Sequence, residues 1–420
     1  MTELSCPKAN ASLDEWLVYL LAIHPTEIDM GLTRVSQVAR KMGLLSLGNT
    51  KVVTVAGTNG KGTTCAYLES ILSLSGKRVG VYSSPHMLKY NERVRIEGQD
   101  VADAAFVEAF EAITAARGEI SLTFFEYATL AGLYLFNAAK LDVVILEVGL
   151  GGRLDATNII DADISVVTSV DLDHEAYLGN TRELVGREKA GIFRAGRPAV
   201  VGEPDRPASV DEVATKLNAS LYRVGVEFDY QQGLEHWHYQ GRVLTLSDLP
   251  LPTLPLPNAA TAIAVIEQAW PELAPEIIAK GIANARLTGR LEQVSAEPLV
   301  LLDVAHNPHA ARYLAKQLAK YQGKRLFALC GMLKDKDIAG VMSVLNNVVD
   351  VWALVSLSGE RGAAASLLRS ALPVNANAQM FDGLSEAWEA VKSQITADDV
   401  VIVFGSFYTV AGFKSLLDRK

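Results

Sequence analysis

Eight consecutive residues, Gly57-Thr58-Asn59-Gly60-Lys61-Gly62-Thr63-Thr64, have the composition of a loop that holds phosphate. Glycines let the backbone turn tightly and approach phosphate oxygens. Backbone N–H groups and a helix N-terminus then face the anion, and Lys61 adds a point charge. The run departs from the general GxxxxGK[ST] spacing. Val55 stands at the first glycine position, and Gly62 follows Lys61 where a hydroxyl is expected, with Thr63 one residue later. A glycine-rich surface turn is the plain alternative. Against it stands the context: an apolar, β-branched run, Val52-Val53-Thr54-Val55-Ala56, directly before, and a helical stretch directly after.

A nucleotide site needs Mg²⁺, which takes oxygen ligands and keeps several waters. Ser84, Glu147 and His174 stand at the ends of successive strand-like runs, where open α/β sheets place ligands. A carboxylate at Glu147, inside the apolar run 143–148, is costly unless it is paired with a cation or binds metal. His174 is weaker on its own, since nitrogen is not a preferred Mg²⁺ ligand. Further along, Leu301-Leu302-Asp303-Val304-Ala305-His306-Asn307-Pro308-His309-Ala310 carries a strand into Asp303 and a Pro turn into a helix. Asp303 can accept from ribose hydroxyls, and His306 can contact phosphate or base. A helix cap with a surface histidine is the plain reading. Lys189 reads as a helix lysine on a solvated face, and Asn258 as a helix N-cap.

The elements that must position these residues alternate. Strands are expected near 52–56, 79–84, 142–148 and 164–170, with helices at 63–74 and 125–139, which argues for a mostly parallel α/β sheet. Residues 221–250 alternate polar and apolar with breaks at Gly233 and Gly241, as hairpins on the edge of this first domain would. The Pro-rich run 249–257 cannot be helical and precedes a helix near Asn258. A second, Rossmann-like α/β unit has strands near 299–304, 325–330, 350–356 and 400–405. Its helices lie near 309–321, 337–347, 384–394 and 407–418. We place the domains at 1–287 and 288–420, with the seam near Thr288-Gly289-Arg290.

At 420 residues the chain is too long for one core. Hydrophobic residues make up 49% and charged residues 21%, a globular composition. A net charge of −9 disfavours nucleic acid as a partner. Three dispersed cysteines, Cys6, Cys65 and Cys330, give no disulfide framework. No signal peptide and no apolar run of about 18 residues is visible, so a cytoplasmic protein without membrane association is expected.

The loop with its extra glycine resembles that of the folylpolyglutamate synthase and dihydrofolate synthase family, relatives of the Mur ligases. The resemblance runs from about Trp16 to the last helix. It is densest at the motifs and thinnest over 205–250 and 360–397. It implies an ATP-dependent ligase that joins L-glutamate to dihydropteroate and to the γ-carboxylate of folates, through an acyl phosphate. That places it in folate biosynthesis and one-carbon metabolism. It implies ATP as cofactor with two Mg²⁺ ions, the first at Ser84, Glu147 and His174. The stretch Arg187-Glu188-Lys189-Ala190-Gly191-Ile192 resembles one whose lysine is carbamylated and helps hold the second ion. Nucleotide contacts carry over to Thr58, Asn59, Gly60, Lys61, Gly62, Thr63, Asn258, Arg290, Asp303 and His306, with Lys61, His306 and Lys189 in catalytic roles. Thr26-Glu27-Ile28-Asp29-Met30-Gly31-Leu32-Thr33-Arg34-Val35, Ser121–Thr129 and Gly151–Asn158 resemble the segments that bind the pterin acid. The residues carried over there are Asp29, Met30, Thr123, Phe124, Phe125, Glu126, Leu154, Asp155 and Ala156. Met30 stands where leucine is usual. Phe124 and Phe125 can stack on a flat pterin, or pack in the core, and Asp29 or Asp155 can accept its N–H groups. The family is mostly monomeric.

Rival readings are a synthase that only extends glutamate tails, a Mur-type amino-acid ligase, and a nucleotide switch without ligase chemistry. Gly62, the segments at 26–35 and 121–129, and a phosphate loop beginning as early as residue 57 weigh against the Mur type. The second α/β unit with its own motif weighs against the switch.

Overall fold

The computed structural model describes residues 6–7, 11–26 and 28–418. Glu27, in the expected pterin segment, lies outside them. The chain divides into two compact units, one running to Arg286 and the other from Leu287.

The first unit is built on an eight-stranded sheet. Its strands are β1 (Lys51–Ala56), β2 (Val79–Tyr82), β3 (Val94–Ile96), β4 (Gln99–Asp100), β5 (Val143–Glu147), β6 (Ile164–Val167), β7 (Pro198–Val201) and β8 (Ser220–Arg223). Their order is β4-β3-β2-β5-β1-β6-β7-β8. All pairings from β2 to β8 are parallel, and β3 and β4 add an antiparallel edge. The central strands are apolar on both faces because helices cover both. Every residue of β5 is buried, Glu147 included. A buried Val or Ile contributes about 1.5–3 kcal/mol, so strands like this dominate the stability of the unit. One face carries the core of Trp16, Val38, Phe106, Phe110, Tyr127 and Phe136. The helix Lys61–Leu74 packs against β1, β2 and β5, and against the helices Leu256–Ala269 and Pro275–Asn284.

The expected edge hairpins are corrected in part. Ser220–Arg223 extends the main sheet in parallel, whereas β9 (Asp229–Gln232), β10 (His236–Gln240) and β11 (Thr245–Pro250) form a separate antiparallel sheet. Trp237, Tyr239, Leu246 and Leu249 are its buried residues, and the Tyr239 hydroxyl donates to Glu267 at 2.8 Å. The Pro-rich run ends sooner than expected. The helix starts at Leu256 and takes Pro257 into its first turn, where a missing N–H costs no helical bond.

The second unit has a six-stranded sheet of β12 (Glu292–Ala296), β13 (Leu299–Asp303), β14 (Leu326–Cys330), β15 (Val351–Val355), β16 (Ala378–Phe381) and β17 (Val400–Phe404), ordered β12-β13-β17-β14-β15-β16. Four strands match the apolar runs of the sequence. β12 is antiparallel and β16 is an exposed edge strand, and both are too polar to stand out.

Candidate active site

β1 ends at Ala56, and the helix Lys61–Leu74 begins at Lys61, so residues 57–60 make the whole connection. Gly60 takes φ 84°, a left-handed conformation that favours glycine, and a Cβ there would collide with the Asn258 amide. Asn258 is thereby placed directly against the loop. The neighbouring strand end holds the loop's shape. Thr58 N–H donates to Ser169 O at 2.9 Å, Asn59 N–H to Ser169 Oγ at 2.9 Å, and Thr168 Oγ1 to Asn59 O at 2.6 Å. No side chain caps the helix N-terminus, which leaves its first-turn N–H groups for an anion. Lys61 Nζ folds back onto Gly57 O at 2.9 Å. Thr63 is buried at this turn.

The residues expected to hold metal are placed unevenly. Glu147 ends β5 in register with Val55, just before the loop. Its Oε2 accepts the Ser84 N–H at 3.3 Å. His174 starts the short helix Glu175–Leu178 at φ 52°, with its ring 4.0 Å from Asp173. Among the described residues, no three His, Cys, Asp or Glu side chains gather as a metal cluster. Ser84 and Glu147 still suit a hard cation. Mg²⁺ needs only one or two protein oxygens when phosphate and water complete its shell.

Lys189 overturns the solvated-face reading. It lies in the last turn of the helix Arg182–Ala190 with 3% exposure. Burial, with Lys61 nearby, pulls its ammonium down to about 7, against the opposing pull of Asp173 and Asp155. A lysine so placed is substantially neutral at physiological pH, which is the nucleophilic form needed to take up CO₂.

The pterin-segment residues have structural duties of their own. Thr123 and Glu126 form a capping box on the helix Phe124–Ala139: Glu126 N–H donates to Thr123 Oγ1 at 3.1 Å, and Thr123 N–H to Glu126 Oε2 at 2.7 Å. Burial raises the Glu126 carboxyl, and its Oε1 lies 3.3 Å from Arg34, which also grips Asp29 at 2.7 Å. Neither phenylalanine is fully buried. Phe125 lies against Tyr82, with ring centres 6.0 Å apart, and Phe124 sits under the Arg93 guanidinium at 5.3 Å. Asp155 organises the loop after β5. Its Oδ2 accepts Gly149 and Leu150 N–H at 3.0 and 2.9 Å, and its Oδ1 accepts Thr157 N–H and Oγ1 at 3.0 and 2.7 Å. Any further donor to this carboxylate must therefore add to these bonds or replace one. Leu154 is half-buried and Ala156 buried beside it. Met30 lies against Gly151 of the same loop, and Asp29 is exposed.

In the second unit, Asp303 ends β13 and fastens the linker to the strand. Its Oδ2 accepts the Leu291 N–H at 3.0 Å and its Oδ1 the Ala305 N–H at 2.8 Å. Burial raises this carboxyl and Arg290 opposes the rise. The Arg290 guanidinium rests 5.8 Å from the Phe407 ring. His306 Nδ1 is 2.8 Å from Val304 O, which directs Nε2 away from the backbone. Asn307 caps the helix Pro308–Leu318. Arg34, Arg93, Thr168 and Ser169 were missed in the sequence. The Thr-x-x-Glu spacing at 123–126 was a visible sign of the capping box that also went unread.

A parallel sheet bearing a phosphate loop, followed by a second α/β unit, is an arrangement shared with the wider Mur ligase superfamily, and the family models agree. The Mur ligase middle domain matches residues 55–246, and the Mur ligase glutamate ligase domain matches residues 289–407. The chain is 51% identical to the dihydrofolate synthase/folylpolyglutamate synthase of Escherichia coli K12, covering 99% of this chain and 97% of that protein. The E. coli FolC structure in complex with DHPP and ADP superposes with a TM-score of 0.96 at 51% identity, covering 99% of each chain. A bifunctional folylpolyglutamate synthase/dihydrofolate synthase structure with Mn, AMPPNP and L-glutamate bound gives 0.93 at 51% identity, covering 98% of this chain and 99% of that one. The chain belongs to the dihydrofolate synthase/folylpolyglutamate synthase family of Mur ligases, and its chemistry is ATP-dependent ligation of an acid to an amino acid.

Proposed function

We propose that this ligase joins L-glutamate both to 7,8-dihydropteroate, giving dihydrofolate, and to the γ-carboxylate of folates, extending their glutamate tail. The observation that supports the reading is that one unit holds the phosphate loop after β1, the Asp155 loop after β5 and the Thr123–Glu126 turn, the segments whose sequences resemble the family's. Relatives' structures carry DHPP with ADP, and L-glutamate with AMPPNP and Mn, which is the ligand set this reaction needs.

The pterin acid's carboxylate oxygen attacks the γ-phosphorus of ATP, and ADP leaves. The free amine of L-glutamate then attacks the acyl-phosphate carbon, phosphate leaves with the C–O electron pair, and the proton lost from nitrogen goes to the departing phosphate. Lys61, with the N–H groups of Gly60, Gly62 and Thr63, takes the charge of the transferring phosphoryl group, in a loop whose shape Thr58 and Asn59 fix through Ser169. Ser84, Glu147 and His174 are the residues to hold Mg²⁺, which would neutralise the phosphate oxygens. Lys189, once carbamylated, offers an anionic oxygen for a second ion. Uncarbamylated and protonated, it would contact phosphate directly as an ammonium. Asn258 is placed for the adenine, and Arg290, Asp303 and His306 are the second unit's nucleotide residues. Met30, Phe124, Phe125, Leu154 and Ala156 surround the pterin, with Asp29, Thr123, Glu126 and Asp155 fixing or contacting it. We take the protein to be a monomer in the cytoplasm, a reducing compartment that suits the buried free thiols of Cys65 and Cys330. It also fits the lack, among the described residues, of any helix long and apolar enough to cross a membrane.

The test is ADP release with MgATP and L-glutamate, comparing dihydropteroate, tetrahydrofolate and no acceptor. Turnover with both acceptors is expected. Turnover with tetrahydrofolate alone reduces the enzyme to a tail-extending synthase. Turnover with neither, in protein that binds ATP, removes the folate assignment.

A further inference from the structure

The substrate loop and the helix that ends in Lys189 are fastened by one set of contacts that the mechanism leaves unused. Arg153, between the glycines and Leu154, donates its backbone N–H to Glu188 O at 2.8 Å. Its side chain returns to the same residue, with Nε and Nη2 at 3.0 and 2.8 Å from Glu188 Oε1. Asn158 Nδ2 ties Arg153 O, at 3.0 Å, to Gly191 O, at 3.2 Å, on the far side of Lys189. Packing leaves no slack. A Cβ on Gly152 would press on Glu188 O and Lys189 O, and one on Gly191 would strike Arg153.

The chemistry of the pair is also informative. Glu188 Oε2 is buried and takes no hydrogen bond, a cost that stability alone does not explain. The Arg153 side chain is 52% exposed, and exposed ion pairs contribute little to folding. The pair is thus poorly suited to stabilising the fold and well placed to fix the loop carrying Leu154, Asp155 and Ala156 against the residue preceding Lys189.

We propose that Arg153 and Glu188 are positioning residues for the pterin acid. They hold the 149–158 loop in its binding conformation and lock it to Lys189, so that the acid's carboxylate and the phosphate loop meet in register. The inference rests on the ligase reading above and sharpens it.

Arg153→Met, Glu188→Gln and the double variant are assayed with dihydropteroate, alongside nucleotide affinity and thermal stability. Each single change is expected to raise KM for dihydropteroate about tenfold, with nucleotide Kd within about twofold and only a small change in Tm. The double variant is no worse than the weaker single one, because both remove the same interaction. Arg153→Lys, which keeps the charge and a donor, recovers most of the loss. A purely structural role would lower Tm and weaken acid and nucleotide together. That result, additive effects, an unchanged KM or failure of Arg153→Lys to recover activity would overturn the inference. If the unaltered enzyme shows no turnover with dihydropteroate, the failure belongs to the functional reading instead.

Discussion

Replacing Lys189 by methionine preserves side-chain length and removes a buried charge. The ammonium sits at 3% exposure, and burial with Lys61 nearby pulls it from 10.5 to about 7. The folded value lies below the unfolded one, so between pH 7 and 10.5 the unfolded chain binds a proton that the native state has released. Stability of the unaltered protein therefore rises with pH across that window, and the full cost of the charge is felt below about pH 7. At about 1.36 kcal/mol per pH unit, the gap sets an upper bound of about 5 kcal/mol at pH 6. Lys189→Met is thus expected to unfold up to about 6 °C higher than the parent at pH 6. The advantage shrinks through pH 8 and vanishes near pH 10, while ligase turnover is lost throughout. Unfolding is followed by near-ultraviolet circular dichroism in bicarbonate-free buffer. Adding bicarbonate at pH 8 raises the Tm of the parent alone if Lys189 takes up CO₂. A Tm difference that stays constant with pH would refute the reasoning, because it would mean that no buried ammonium titrates in that window.

Gly60→Ala should abolish nucleotide binding and cost about 2–3 kcal/mol, from the left-handed φ and the collision with Asn258. Isothermal titration and thermal unfolding check it, and ADP affinity within about twofold of the parent contradicts it. Thr123→Ala removes one half of the capping box and should cost about 1 kcal/mol with a raised KM for dihydropteroate. Denaturant unfolding and steady-state kinetics read the two effects. Glu147→Gln should leave ADP binding without metal intact while turnover falls at least about a hundredfold at saturating Mg²⁺. Parallel metal-free and Mg²⁺ titrations decide that case.

The phosphate loop was legible because its chemistry is local. A buried strand, three glycines and a lysine all fall within a dozen residues, and the backbone conformation of Gly60 is one that its lack of a Cβ invites. The parallel strands were legible for a similar reason, since burial on both faces writes continuous apolar runs. The parts that hold the site together were not. Thr168 and Ser169 brace the loop from a strand more than a hundred residues away, and nothing in their own neighbourhood marks them. Arg34 reaches Glu126 across a similar separation. The burial of Lys189 was not legible locally, because Arg187 and Glu188 before it are polar and its neighbourhood alone reads as a solvated face.

The same burial explains why Lys61 and Lys189 belong to one problem. Two ammonium groups close to one loop repel, and the protein relieves this by different means for each. Lys61 folds its side chain back onto Gly57 O. Lys189 is denied water and gives up its proton near neutrality. A neutral amine there removes the repulsion and is also the form that reacts with CO₂, which would turn a would-be second cation into an oxygen donor for metal. A carbamylated Lys189 would thus carry its oxygen further from the helix backbone than an aspartate or glutamate side chain can.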